Sequence, residues 1–204
     1  MDGKLRGILL LINIYKTIFA EIEPSEHMRK LTMPELNRMT VDEFKATEKT
    51  PIVVVLDNIR SQNNTGSVFR TADAFRLEGV YLCGFTATPP HPEIRKTALG
   101  STESVDWQYF ATTTSAIKQL MEQGYHIIAV EQTEGSIFLQ DYHPPAGIKI
   151  AVIFGNEVNG VEDEVLELAE QCLEIPQFGT KHSINVSVAV GIVVWDLFLK
   201  MKIA

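Results

Sequence analysis

From Pro51 onward the chain alternates short apolar runs rich in Val, Ile and Leu with segments whose apolar residues recur at helical spacing. Runs such as Ile52-Val53-Val54-Val55-Leu56 and Ile150-Ala151-Val152-Ile153-Phe154 are apolar at consecutive positions, so both faces of each strand must be covered. A sheet with one wet face would alternate instead; continuous apolar runs belong to a parallel sheet with helices on both sides. The fold class is therefore α/β. Strands are expected at 52–57, 79–83, 125–131, 148–154 and 172–175, with a weaker one near 106–110. Helices are expected at 65–76, 92–99, 113–123, 162–170 and 185–202. In the first of these, Asn64 is placed at the N-cap, Val68, Phe69, Ala72 and Phe75 form the apolar face, and Gly79 follows the end.

The 204 residues, 45 % of them hydrophobic, suffice for one ordinary core. Ahead of it, Thr32-Met33-Pro34-Glu35 reads as a capping box with proline at the helix start, and Thr40-Val41-Asp42-Glu43 as a second. Residues 33–48 are read as a helical arm, with an N-terminal extension and arm over 1–49 and the main domain over 50–204. Lys4 and Arg6 before Ile8-Leu9-Leu10-Leu11-Ile12 imitate the opening of a secretory signal, but Asn13, Tyr15 and Lys16 break the run. The run is also too short to span a bilayer. A cytoplasmic chain is expected, without membrane contact, and Met28 is an alternative start. Cys83 and Cys172 lie in apolar runs without metal-ligand spacing and read as buried thiols; neither a disulfide nor a metal site is expected. The net charge of -8 excludes a uniformly basic surface, so contact with nucleic acid needs a local patch or two subunits together.

Three polar clusters sit where strands end. Asn64-Thr65-Gly66 leading to Arg70 follows the strand at 52–57. Gly155-Asn156-Glu157-Val158-Asn159-Gly160 follows 148–154, and Pro176 through Ser183-Ile184-Asn185 follows 172–175. Open parallel sheets bind ligands beyond the carboxyl ends of their strands, so three clusters in that position imply one shared site. Taken singly, Asn64 reads as a helix cap, Arg70 as a solvated helix residue and Gly155-Asn156 as a turn. The nicotinamide fingerprint is missing after the first strand, and so are a phosphate loop, a nucleophile elbow and a zinc-protease motif.

Taken together, the segments Asn64-Thr65-Gly66-Ser67-Val68-Phe69-Arg70-Thr71-Ala72, Val152-Ile153-Phe154-Gly155-Asn156-Glu157-Val158-Asn159-Gly160 and Ile175-Pro176-Gln177-Phe178-Gly179 continuing to Ser183-Ile184-Asn185-Val186-Ser187 resemble the three motifs of SpoU/TrmH-type RNA ribose 2'-O-methyltransferases, of the SPOUT superfamily. Lys96-Thr97-Ala98-Leu99-Gly100 also resembles a segment of that family, and the likeness covers roughly residues 50–202. The resemblance implies a C-terminal trefoil knot, S-adenosyl-L-methionine as cofactor with no metal, and a homodimer through the knot region. Carried over by position, it implies Gly155, Ile175, Ile184, Ser183 and Asn185 around the cofactor. It implies Arg70, Asn64, Glu157, Ser183 and Asn185 in catalysis, Arg70 activating the 2'-hydroxyl and Glu157 orienting Arg70 or the nucleotide. Arginine is a poor base, its pKa lying above about 12, so Arg70 is read as pinning a phosphate and the hydroxyl together.

RNA is the expected partner. Arg60, Arg70, Arg95, Lys96 and Lys181 are the candidate contacts, with Arg76 and His182 beside them. Trp195, Phe198 and Leu199 are read as core or dimer face rather than a base-stacking platform. With about fifty residues before the first strand, a whole RNA-binding domain of the kind family members often carry does not fit there, and the compact architecture resembles tRNA-modifying members, which implies tRNA in preference to rRNA as substrate. Two other readings stand beside this one: a non-catalytic RNA-binding module of the same fold, and a base N-methyltransferase, which would call for an aspartate as base.

Overall fold

A computed structural model describes residues 29–203. The signal-like run and the alternative start at Met28 lie outside the described residues. The chain divides between Arg38 and Met39 into two units. In the described part of the first, Pro34–Leu36 forms a single 3₁₀ turn. Glu35 accepts the Thr32 N–H at 2.7 Å and pairs with Arg29 at 2.6 Å.

The second unit is a seven-stranded, wholly parallel sheet: β1 Thr50–Asp57, β2 Leu77–Cys83, β3 Trp107–Phe110, β4 Tyr125–Val130, β5 Ile137–Phe138, β6 Lys149–Phe154 and β7 Gln171–Glu174, in the order β3-β2-β1-β6-β4-β7-β5. Seven helices accompany it among the described residues: α1 Val41–Ala46, α2 Gln62–Ala74, α3 Pro92–Ala98, α4 Ser101–Ser104, α5 Thr113–Glu122, α6 Asp163–Leu166 and α7 Val186–Ile203. The double-sided apolar pattern is realised as two cores. Ile52, Val54 and Leu56 of β1 face Val68, Phe69 and Ala72 of α2 and Val190, Val193 and Leu197 of α7. Val53 and Val55 face the other way, with Ile117 and Leu120 of α5 and Val165 of α6. Each such side chain, removed from water, contributes about 1.5–3 kcal/mol.

Several sequence boundaries move. Helix α2 starts at Gln62, not at 65. Ser61 is its N-cap, its hydroxyl accepting the Asn64 N–H, so Asn64 sits one turn inside. Any of Ser61, Asn63 or Asn64 is a competent cap; the tie from β6 described below selects Ser61. Gly79 does not end the helix but lies inside β2, which begins at Leu77. The arm at 33–48 is broken: Asn37 turns left-handed at φ 45°, and only Thr40 and Glu43 complete a capping box. The expected helix 162–170 is a single turn, α6, and residues 167–170 form the turn that leads into β7, where the strand expected at 172–175 is found. Helix α4 and strand β5, each of four residues or fewer, are too short to leave a periodic signal.

Candidate functional site

The helices after β1 and β6 lie on opposite faces of the sheet, α2 in one core and α6 in the other, although the strands are neighbours. Loops leaving such a pair diverge and open a crevice at the carboxyl edge. Here that crevice is stitched by polar contacts. Asp57, fully buried, accepts from the Thr113 hydroxyl and the Asn58 amide. Asn58 is left-handed at φ 55°, and its carbonyl accepts the Asn156 amide at 2.6 Å. In the β6 loop, Asn156 and Gly160 exchange both backbone hydrogen bonds at 2.9 Å, closing a turn. A Cβ at Gly155 would run into the Gly160 and Val161 backbone, so the turn closes only over glycine.

The three clusters meet. The Glu157 carboxylate accepts the N–H groups of Arg60 at 2.9 Å and Ser61 at 3.2 Å and the Asn64 amide at 3.1 Å. The Asn64 carbonyl oxygen accepts the Asn185 amide at 3.2 Å. Asn185 is itself the cap of α7, its side-chain oxygen accepting the Ser187 N–H at 2.9 Å. Asn64 thus bridges motifs two and three, and the N-termini of α2 and α7 converge on one point. Burial would raise the Glu157 pKa, but the hydrogen bonds from Arg60, Ser61 and Asn64 outweigh it and hold the carboxyl below its usual value. An acceptor-only carboxylate is thereby kept charged beside two helix N-termini, where the dipoles favour it.

Beside this bridge lies a cleft of about 880 Å³ over the ends of β4, β6 and β7. Gly155, Glu157, Ile175, Ser183, Ile184 and Asn185 all line it, which brings together six of the expected site residues. Its further walls are apolar Val130, Leu173 and Ala189 and acidic Glu131, Glu134 and Glu174. Glu131 escaped the sequence reading, although its place just past an apolar strand marks the ligand edge. Its carboxylate accepts the Val161 N–H at 3.0 Å and the Gln132 N–H at 2.9 Å, tying β4 to the β6 loop.

Arg70 is placed differently. It lies about 9 Å further along α2 than Asn64, on the solvent face with Asn63 and Ala74. Among the described residues no hydrogen bond or ion pair holds its guanidinium, and of the two roles read for Glu157, orienting Arg70 or the nucleotide, the contact with Arg70 is not made. The cause is local: the N–H groups at the start of α2 are nearer donors to Glu157 than a side chain two turns on. Arg60 joins the site through its backbone; its side chain is exposed, as are Arg95 and Lys181. Lys96 is paired with Glu93 at 3.2 Å. Burial pushes the Cys83 thiol up to about 12 and also raises Cys172, so neither is a nucleophile. Among the described residues no cluster of His, Cys, Asp or Glu has the grouping of a metal site, and no helix is long and apolar enough to cross a membrane.

A parallel α/β domain with a cleft at its carboxyl edge, framed by loops from the switch-point strands, defines a ligand-binding protein of the open-sheet α/β class. The sequence profile of the SpoU rRNA methylase family matches residues 51–195, and the chain belongs to that family. Over 197 residues it is 26 % identical to the 23S rRNA (guanosine-2'-O-)-methyltransferase of Pseudomonas putida, covering 96 % of this chain and 73 % of that protein. It is 29 % identical over 151 residues to the tRNA (guanosine(18)-2'-O)-methyltransferase of Aquifex aeolicus, covering 71 % of this chain and 67 % of the other. The first relatives it matches are spanned over 57 % to 73 % of their own length. Among solved structures, the TrmH/SpoU tRNA modifying enzyme of A. aeolicus shares the fold with a TM-score of 0.70 at 22 % identity, covering 79 % of this chain and 82 % of that one. An AdoMet-bound rRNA methyltransferase of Sinorhizobium meliloti does so with a TM-score of 0.68 at 24 % identity, covering 90 % and 68 %.

Proposed function

We propose that this protein transfers a methyl group from S-adenosyl-L-methionine to a ribose 2'-hydroxyl of RNA, with tRNA preferred to rRNA. The observation that carries the reading is the Asn64 bridge, which joins three segments distant in sequence at the rim of one cleft. The cleft suits the donor: its volume falls within the usual range for small-molecule sites, about 300–1,000 Å³. Main-chain groups of the Gly155 turn and of residues 175–184 are available to an adenosine, and Glu131, Glu134 and Glu174 complement a cation. The donor supplies a methyl group already activated on a sulfonium.

The chain's part is then to orient the nucleophile and ease loss of its proton. Asn64, Glu157, Ser183 and Asn185 arrange the rim, and Arg70, free on the solvent face of α2, clamps a phosphate of the acceptor strand. Arg60, Arg95, Lys96 and Lys181 are the further RNA contacts we assign. The 2'-hydroxyl requirement makes RNA, not DNA, the acceptor. The catalytic domain is taken as residues 50–204, with α1 packed on it through Phe44 and residues 1–49 as extension and arm. The C-terminal knot is inferred from membership of the SpoU family; in this chain the β6 loop leads through β7 to α7, whose face packs with α2. We further propose a cytoplasmic homodimer. Helix α7 is apolar on two sides, and Val188, Ile192, Trp195 and Leu199 form an exposed stripe opposite its buried face; a helix apolar all round is ordinarily covered.

The deciding experiment incubates the protein with methyl-labelled donor and total RNA, digests the RNA to nucleosides and locates the label. Label on ribose supports the reading. Label on a base supports the N-methyltransferase alternative, and no label with intact RNA binding supports the non-catalytic module.

A further inference from the structure

A second cavity, of about 340 Å³, opens at the opposite end of the sheet, where β1 and β6 begin and α7 ends. The mean rise of a strand puts it roughly 26 Å from the cleft along the eight residues of β1. Lys49, Arg76 and Lys202 stand on its wall with a single carboxylate, Glu48, while Phe198 and Ile148 supply apolar surface. On a chain of net charge -8 this cationic excess is local, and nothing in the methyl-transfer reading uses it.

Three details make it more than scattered surface charge. Arg76 occupies the turn between α2 and β2 at φ 49°, a conformation ordinarily given to Gly or Asn. Its own carbonyl accepts the Thr50 N–H at 2.7 Å, which fixes that turn against the start of β1. The Lys49 ammonium donates to the Phe44, Lys45 and Thr47 carbonyls, the last at 2.8 Å, and lies 4.5 Å from the centre of the Phe44 ring, so it lends the wall its charge from a fixed place. The Phe198 ring is fixed against Phe75, with centroids 5.4 Å apart, and the Lys202 ammonium lies 5.8 Å from its centre. An anchored aromatic ring with Lys202 beside it, and Arg76 and Lys49 on the same wall, is the chemistry that grips a phosphate and stacks a base.

We propose that this cavity binds a nucleotide unit of RNA, as an accessory site remote from the methyl-transfer cleft. The assignment of RNA as the source of the nucleotide rests on the preceding functional reading; the recognition of a phosphate beside a base does not. Sequence counted Arg76 among the candidate RNA contacts and read Phe198 as core or dimer face rather than a stacking platform, whereas the fold carries both to the far edge and onto one cavity wall.

The test measures binding of two probes, AMP and a fluorescent single-stranded octaribonucleotide, to the wild-type chain and to an Arg76→Ala/Lys202→Ala variant. Oligonucleotide affinity is expected to fall about tenfold, with the log–log salt slope shallower by about 0.7 for each phosphate no longer neutralised. Phe198→Leu, which keeps an apolar filler against Phe75, is expected to weaken the oligonucleotide while leaving the salt slope unchanged. Thermal melting of each variant shows that the fold is kept. Loss of oligonucleotide binding alone assigns the site to RNA, and loss of AMP binding as well extends it to the free nucleotide. Unchanged binding of both probes in folded variants overturns the proposal. Titration with S-adenosyl-L-methionine on the same proteins separates the two readings. A wild-type chain that ignores the donor refutes the methyltransferase reading, while the AMP arm still tests this cavity.

Discussion

Asn64 makes two hydrogen bonds that a helix cap does not require, one to Glu157 and one from Asn185. Arg70, by contrast, is exposed and free of any ionic partner among the described residues, as suits a group waiting for a polyanion. Arg70→Ala is therefore expected to lower turnover about a hundredfold or more, the scale of forfeited substrate positioning. Donor affinity, read by calorimetry, should stay at the wild-type value; turnover within twofold of wild type rejects the role. Glu157 makes a different prediction. Its folded pKa lies below the usual value of 4.5, so its stabilising contribution is complete above that value and is lost as pH falls through the lower folded pKa. The melting temperature of wild type should exceed that of Glu157→Gln at pH 6, and the gap should narrow below pH 4.5. A gap that widens in acid would contradict the hydrogen-bond account. Part of this was legible beforehand: strand-end position marked the three clusters, and the family resemblance named Asn64, Glu157 and Asn185 within them. Their mutual contacts were not, since hydrogen bonds across 93 and 121 residues leave no local trace.

Among the elements, α2 matters twice: its N-terminus carries the site and its flank carries α3. Gly66 makes that flank possible, because a Cβ there would meet the Ile94 carbonyl and the Thr97 hydroxyl. Gly66→Ala gains about 1 kcal/mol of helix propensity, against about 1–3 kcal/mol for overpacking against a backbone. The melting temperature is expected to fall by several degrees, and a rise would show that α3 can back away. The sequence pattern located α2 and α7 well because each buries a stripe of apolar residues over three turns or more. It overextended the helix at 162–170 and joined the two pieces of the arm. The strand expected at 172–175 is found as β7 Gln171–Glu174 beside β4.

For the molecule entire, assembly turns on the exposed stripe of α7. Ile192→Glu, at a side chain 38 % exposed, is expected to convert the proposed dimer to a monomer in sedimentation without unfolding it. A wild-type chain that sediments as a monomer at micromolar concentration removes the dimer from the reading. Residue order alone dictated the α/β class, the double-sided burial of the strands and the three clusters at their carboxyl ends, because hydrophobic period and strand-end position are local properties of a chain. Which clusters touch, that Arg70 stands apart from the bridge, and that Arg76 belongs to a second cavity at the other edge emerged once the chain was folded. Strand order is set by how helices share the two faces of the sheet, and that competition is settled between segments far apart, where no window along the sequence can register it.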